Sequence, residues 1–143
     1  IAFNYRPNEM SAALALSHID RIEDLVSSRQ LIANIYDNNL NYEYFIKQLI
    51  PDDFTHVYHL YPILLPSPNL REKCLQYLKD LNIFAQIHYP PINHMKGFKQ
   101  YYSNTPVSDD IANRIISIPM FPQLADEEIT FVVDSLNNFS KSN

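Results

Sequence analysis

The chain has 143 residues, of which 46% are hydrophobic and 19% are charged, and its formal net charge is −5. This is the composition of a globular protein with an ordinary core. The acidic balance argues against a nucleic-acid platform, and no apolar run approaches the roughly 18 residues that span a bilayer. The single cysteine, Cys74, precludes an internal disulfide and favours a reducing, cytoplasmic setting. The sequence opens at Ile1 without a methionine, which predicts a fragment or a processed chain.

The chain contains one glycine, Gly97, where average usage would give about ten. Glycine-rich loops that cradle phosphates, and the glycine fingerprint of dinucleotide-binding folds, are therefore excluded. Prolines mark most of the boundaries between the predicted elements.

The first part of the chain predicts one long helix. Neither glycine nor proline falls between Pro7 and Pro51, and Asn8 is well suited to cap a helix that runs to about Tyr36. The stretch at residues 10–16 is apolar nearly all round, so several surfaces should cover it. We therefore expect this helix to connect the chain to a further domain or subunit.

After this helix, the pattern alternates between helices and short strands. The predicted elements are a break at Asp37–Asn41, a helix at Tyr42–Ile50, a strand at His56–Leu65, a helix capped by Asn69, a strand at Ile83–His88, a helix around residues 107–115, a strand at Ile116–Met120 and a helix from Asp126. Pro62 places the first strand at a sheet edge or a bulge. The predicted fold class is α+β, with a long N-terminal connector helix followed by a three-stranded sheet that helices cover on one side.

Two clusters of polar residues are candidate binding sites. Asn4, Tyr5 and Arg6 stand immediately before a helix start, where backbone N–H groups and the positive end of the helix dipole attract anions. The alternative interpretation is a capping loop with a surface arginine. The second cluster is I-H-Y-P-P-I-N-H at residues 87–94, where a strand runs into a proline-stiffened loop. Its histidines can bind a substrate or hold a proton near neutral pH, and the alternative is a turn with incidental polar residues.

A third pair of residues, His56 and His59, does not predict a metal site. Their odd spacing places them on opposite faces of a strand. With one cysteine and no H-E-x-x-H motif, nothing else in the sequence favours zinc. We therefore expect no metal.

Five stretches of the sequence, in this order, resemble the C-terminal part of the DegT/DnrJ/EryC1/StrS aminotransferases. They are F-N-Y-R-P-N-E-M-S-A-A-L-A-L at residues 3–16, S-S-R-Q-L-I-A at 27–33, H-V-Y-H-L-Y at 56–61, I-H-Y-P-P-I-N-H at 87–94 and S-I-P-M-F-P-Q-L-A-D-E-E-I at 117–129. The resemblance implies a cytoplasmic homodimer that uses pyridoxal 5'-phosphate to move an amino group from an amino-acid donor to a keto-sugar acceptor. The acceptor in such enzymes is usually nucleotide-linked, and the products serve polysaccharide biosynthesis.

The resemblance also implies roles for single residues. The asparagine of the family's N-Y-R motif donates to the cofactor phosphate of the partner subunit, and this role falls on Asn4. The arginine of that motif lies near the nucleotide sugar, which corresponds to Arg6. The histidine of the H-Y-P motif lines the substrate pocket, so His88 takes that role, with Tyr89 and His94 as further substrate-binding residues.

The family's lysine that binds the cofactor covalently lies upstream of the N-Y-R motif, whereas every lysine of this chain lies downstream of Asn4. The resemblance therefore implies that residues 1–41 form the N-Y-R loop and an interface helix, that residues 42–143 form the small C-terminal domain, and that the large cofactor-binding domain is absent. No catalytic residue is expected in this chain, which alone should be inactive and bind no cofactor. Two alternatives stay open: a stand-alone, non-catalytic α+β ligand-binding module, and a remnant that keeps only the dimerising surface.

Overall fold

The computed structural model describes residues 5–143. In chain order its elements are α1 (Glu9–Ile19), α2 (Ile22–Asn39), β1 (Ile46–Lys47), β2 (Tyr61–Leu64), α3 (Pro68–Asp80), two 3₁₀ turns (Ile92–His94 and Lys96–Tyr101), α4 (Pro106–Arg114), β3 (Ile115–Ile118) and α5 (Asp126–Ser142). The strands form one antiparallel sheet in the order β1-β2-β3. The predicted α+β class with a three-stranded sheet is confirmed. Within the described part of the chain, no helix has the length and apolar character needed to cross a membrane.

One helix was predicted from Asn8 to Tyr36, and the structure has two. α1 ends at Ile19, where the Nε of Arg21 donates to the backbone oxygen of Ser17 at 3.1 Å. A cation at the C-terminal end of a helix is favoured by the helix dipole. Glu23 and Asp24 then lie in the first turn of α2, where negative charge is favoured. The break contains no glycine or proline, and the second helix runs past the predicted break to Asn39.

The predicted helix at Tyr42–Ile50 is wrong. The Asn41 side-chain oxygen accepts from the backbone N–H of Glu43 at 3.2 Å, and the Asn41 backbone oxygen accepts from Phe45 N–H at 2.9 Å. This turn directs Phe45 into the core, where it is fully buried, and the chain continues as β1. Tertiary burial of one aromatic ring has overridden a weak local preference for helix.

The predicted strand at His56–Leu65 forms only over Tyr61–Leu64, and it lies at the centre of the sheet rather than at its edge. Leu65 N–H donates to Arg114 O at 3.0 Å. Because successive residues of a strand point their N–H groups to alternate sides, the position of Pro62 faces β1. β1 pairs with Ile63 and Leu64 only. The next residue pair between β1 and β2 would need the backbone N–H group that Pro62 lacks, so β1 ends there. The central strand tolerates Pro62 because, among the described residues, no strand pairs with that side of it at this position.

The predicted strand at Ile83–His88 is reduced to a single bridge. Gln86 N–H donates to Ser117 O at 3.0 Å, and Ser117 N–H donates back at 2.7 Å. Just upstream, Asn82 adopts the left-handed conformation, with φ of 59°. Ile83 N–H donates to Leu78 O at 2.8 Å, which closes the end of α3. The motif that ends α3 therefore uses the Ile83 N–H group, which the predicted strand would have needed for pairing.

The start of α3 also differs from prediction, because Ser67 caps it instead of Asn69. Ser67 Oγ accepts from Leu70 N–H at 3.4 Å, and Pro68 follows at the first helical position. Proline is favoured there because its fixed φ suits a helix and its missing N–H is not needed. The predicted helix itself is confirmed over Pro68–Asp80.

The core lies between the sheet and helices α2, α3 and α5. Its largest fully buried side chains are Tyr36, Phe45, Ile63, Leu65, Leu78, Ile116, Ile129 and Leu136. In contrast, α1 contributes no buried residue. The fold therefore consists of a packed α+β unit from α2 onward and a preceding helix whose side chains that unit does not bury.

Candidate functional site

The N-terminal cluster lies at the start of α1. Asn8 caps this helix as predicted, because its side-chain oxygen accepts from Ser11 N–H at 2.8 Å. Arg6 is exposed just before the cap, and Asn4 lies outside the described residues. A cation beside the N-terminus of a helix has the charge that attracts a phosphate group.

The second cluster begins where the chain leaves the sheet. His88 follows the bridge between Gln86 and Ser117, so the sheet fixes the direction from which it enters the loop. The His88 ring meets the Tyr89 ring edge to face at 4.9 Å between centroids, and Tyr89 is 65% exposed. The structure therefore brings these two predicted residues together at one edge of the sheet.

His88 is incompletely satisfied. Its Nδ1 is buried, and no described residue forms a hydrogen bond with it. A buried polar atom without a partner is destabilising by about 1–3 kcal/mol, so most such atoms in native proteins find one. Among the described residues, the Tyr44 hydroxyl and the Ser117 hydroxyl share this condition, so it does not by itself mark a binding site.

His94, the third predicted residue of this cluster, has a partner within the chain. Its Nε2 lies 2.9 Å from Oδ1 of Asp109, and its side chain is half exposed. Asn93 donates from Nδ2 to Ser103 O at 3.0 Å and to Thr105 Oγ1 at 2.9 Å. The end of the cluster is thus tied to the start of α4, whereas His88 and Tyr89 are not.

The remaining reactive side chains have local or structural roles. Cys74 is buried in the core, and burial raises the pKa of its thiol to about 12, so it stays protonated. His56 Nδ1 accepts from Tyr58 N–H at 3.1 Å, within its own loop. Among the described residues, no group of three or more histidine, cysteine or acidic side chains is placed to hold a metal ion.

Asp37, Tyr42 and Tyr61 form a polar network at the edge of the core that sequence reasoning missed. The Tyr61 hydroxyl donates to Asp37 and lies 2.7 Å from the Tyr42 hydroxyl. Burial raises the pKa of Tyr42 to about 12. The pKa of Tyr61 is raised further, mainly by burial and secondly by its hydrogen bond to Asp37. Lys47 Nζ lies 3.2 Å from the Asp37 carboxylate. Because its charges and hydroxyls satisfy one another, this network holds α2 against the sheet.

Arg29 is a second residue whose role only the structure reveals. One guanidinium nitrogen donates to the backbone oxygens of Tyr58 at 3.0 Å, His59 at 3.3 Å and Met120 at 3.2 Å. Arg29 therefore ties α2 to two separate loops. The S-S-R-Q stretch marks its position in the sequence but does not indicate these long-range partners.

The residues of α1 present an apolar surface to the exterior. Met10 is 79% exposed and Leu14 is 63% exposed, with Leu16 and Ile19 each at 62%. Single exposed apolar residues are common, but several on one short helix indicate a surface that another protein surface covers.

A family model for the DegT/DnrJ/EryC1/StrS aminotransferases matches residues 1–137 of this sequence. The chain belongs to this aminotransferase family. Members of the family depend on pyridoxal phosphate. The match covers the N-terminal cluster, the loop that carries His88 and α5 as far as Asn137.

Two curated relatives and one solved structure illustrate what this family member is similar to. GDP-perosamine synthase of Escherichia coli O157:H7 is 30% identical over 139 residues, which is 97% of this chain and 38% of the relative. The UDP-4-amino-4,6-dideoxy-N-acetyl-beta-L-altrosamine transaminase of Helicobacter pylori is 29% identical over 143 residues, which is 95% of this chain and 38% of the relative.

The solved structure is Helicobacter pylori PseC, an aminotransferase involved in the biosynthesis of pseudoaminic acid. It superposes with a TM-score of 0.85 at 28% identity, over 100% of this chain and 40% of that protein. The chain thus spans about two-fifths of the length of the relatives it matches. It corresponds to a portion of the sugar aminotransferases that it matches.

Proposed function

We propose that this chain is the C-terminal part of a homodimeric aminotransferase that transfers an amino group from an amino acid to a keto sugar, and that the sugar is nucleotide-linked. The observation that carries the proposal is the pairing of the His88 and Tyr89 rings at one sheet edge, in a chain that matches the aminotransferase family over residues 1–137. It offers a polar anchor and a ring surface at one sheet edge, which is what recognition of a sugar requires. The relatives named above act on sugars joined to GDP or UDP, as their names state.

We further propose that residues 1–41 form a loop and interface helix, and residues 42–143 the small domain. The exposure of α1 supports this division, although α2 contributes Ile32 and Tyr36 to the core of the small domain. The large cofactor-binding domain would then cover α1. In that arrangement, Asn4 and Arg6, which precede α1 in the sequence, would serve the site of the partner subunit.

The cofactor supplies the electron-withdrawing ring that stores charge during transfer of the amino group. The residues of this chain have other tasks. Asn4 would donate to the cofactor phosphate, and Arg6 would add a positive charge near the diphosphate of the acceptor. His88 and Tyr89 would hold the sugar, and His94 lies further along the same loop. This chain therefore binds and orients, and we assign it no group that reacts covalently.

The first prediction concerns cofactor chemistry in the 143-residue chain alone. Mixing the chain with pyridoxal phosphate and reducing it with borohydride should label no single lysine stoichiometrically. Lys47 is paired with Asp37, and all lysines follow the motif upstream of which the family places its reactive lysine. Peptide mapping by mass spectrometry measures the labelling. One fully labelled site would contradict the assignment of the reactive lysine to another domain.

The second prediction tests the proposed function through His88. In the complete enzyme, His88→Ala should lower kcat/KM for the keto-sugar acceptor by about ten- to a hundredfold, the worth of one hydrogen bond from a buried site. The affinity for the cofactor should change by less than about threefold. Steady-state kinetics and cofactor titration measure the two quantities.

A matched control is His59→Ala, because His59 is an exposed histidine on another loop. It should leave both quantities near those of the unsubstituted enzyme. Equal losses of acceptor specificity and cofactor affinity in His88→Ala would show that His88 supports the fold and does not bind the sugar.

A further inference from the structure

The loop between the sheet and α4 is held by few apolar contacts. Neither of its 3₁₀ turns contains a buried residue. Phe98 is 46% exposed and Tyr101 is 69% exposed. A segment with little apolar burial opens readily unless polar contacts restrain it. The position of the loop that carries His88 and Tyr89 therefore depends on its hydrogen bonds.

Those hydrogen bonds converge on one place, the start of α4. Thr105 is the residue before its first helical position, and Asp109 lies in its first turn. Asn93 Nδ2 donates to Thr105 Oγ1 at 2.9 Å, and His94 Nε2 donates to Asp109 Oδ1 at 2.9 Å. Thr105 Oγ1 also lies 3.5 Å from Asp109 Oδ1, which joins the two contacts.

The α4 side of this arrangement is fixed independently of the loop. The Asp109 N–H donates to Thr105 O at 2.9 Å within the helix, and a carboxylate in the first turn is favoured by the helix dipole. α4 itself leads directly into β3, which belongs to the sheet. A side chain that binds Asp109 is therefore held, through α4 and β3, in a fixed position relative to the sheet that orients His88.

We propose that Asn93, His94, Thr105 and Asp109 form a clasp that holds the loop on α4 and thereby sets the position of His88 and Tyr89. His94 is then a positioning residue for the keto-sugar acceptor, because Asp109 occupies its Nε2. This inference rests on the proposed function for its consequence in catalysis. The clasp itself rests only on the contacts of the described residues.

The clasp is tested by amide hydrogen exchange over residues 88–105, measured by mass spectrometry on the 143-residue chain. His94→Ala and Asp109→Ala should each accelerate exchange in this loop by about two- to fivefold, as expected for the loss of one partly exposed hydrogen bond. The double variant should exchange no faster than the more affected single variant, because both remove the same contact. Asp109→Asn, which keeps an oxygen acceptor, should restore most of the protection.

Asp110→Ala is the matched control. It removes the neighbouring carboxylate of the same helix, which pairs with Arg114 rather than with the loop. Exchange over residues 88–105 should stay at the unsubstituted rate. Unchanged exchange in both His94→Ala and Asp109→Ala, or strictly additive effects in the double variant, would overturn the clasp.

The consequence for catalysis is measured in the complete enzyme. Asp109→Ala should raise KM for the keto-sugar acceptor by about two- to fivefold and leave kcat nearly unchanged, and Asp109→Asn should rescue it. A looser loop with an unchanged KM would overturn the positioning role while the clasp stands. A failure of the proposed function is recognised separately, because the unsubstituted enzyme would then aminate no keto sugar although the exchange results hold.

Discussion

Replacing Asn4 by alanine in the complete enzyme is expected to weaken retention of pyridoxal phosphate by about ten- to a hundredfold. A hydrogen bond to a charged group contributes about 1.5–3 kcal/mol, and 1.4 kcal/mol corresponds to a factor of ten in affinity. Asn4 precedes the capped start of α1, where the helix dipole already favours a phosphate. Dialysis against buffer followed by measurement of bound cofactor gives the dissociation constant.

The loss of cofactor retention should be specific to the side-chain donor of Asn4 and should not follow from replacing any other exposed asparagine. Asn38→Ala is the matched control, because Asn38 is an exposed asparagine of α2 whose amide donates to Asn34 only. Its cofactor retention should equal that of the unsubstituted enzyme. Unchanged retention in Asn4→Ala would show that the phosphate is held by other groups, and the cross-subunit role of Asn4 would be abandoned.

The isolated 143-residue chain is expected to self-associate through α1. Met10, Leu14, Leu16 and Ile19 are each more than three-fifths exposed. Covering such a surface contributes several kcal/mol at roughly 25 cal/mol per Å², enough for association at about tens of micromolar. The double variant Leu14→Glu, Leu16→Glu should be monomeric, because it places two charges where a partner surface would pack.

Sedimentation velocity of the unsubstituted chain and of the double variant measures the association. Ser11→Glu with Ser17→Glu is the matched control, since it adds the same charge to polar positions of the same helix. This control should associate like the unsubstituted chain. If the unsubstituted chain is monomeric at these concentrations, α1 is not an interface helix and the proposed division at residue 41 fails with it.

The helices with strong periodicity were predictable from the sequence alone. α3, α4 and α5 lie where the spacing of their apolar residues placed them, and β3 begins within one residue of its predicted start. Asn8 caps α1 as its residue type predicts. In each case the information is local, because a helix face or a cap is specified by residues a few positions apart.

The short sheet was decided by contacts between distant residues. β1 forms where Phe45 is buried and is short because Pro62 ends the ladder. The predicted strand at Ile83–His88 is reduced to one bridge because Ile83 N–H closes α3. The strand partners of β1 are distant in sequence, whereas the hydrogen bond from Ile83 to Leu78 is local. Short strands carry little propensity of their own, so burial and pairing determine them.

The candidate site, like the fold, was predicted in part from the sequence and determined in part by the tertiary structure. The residue types and their order placed Asn4, Arg6, His88, Tyr89 and His94 in the family motifs, and the family is confirmed. Only the tertiary structure distinguished His88, whose Nδ1 has no partner among the described residues, from His94, whose Nε2 is bound by Asp109. Sequence specifies which side chains can hydrogen-bond, whereas the packing of the loop against α4 determines which of them are already satisfied.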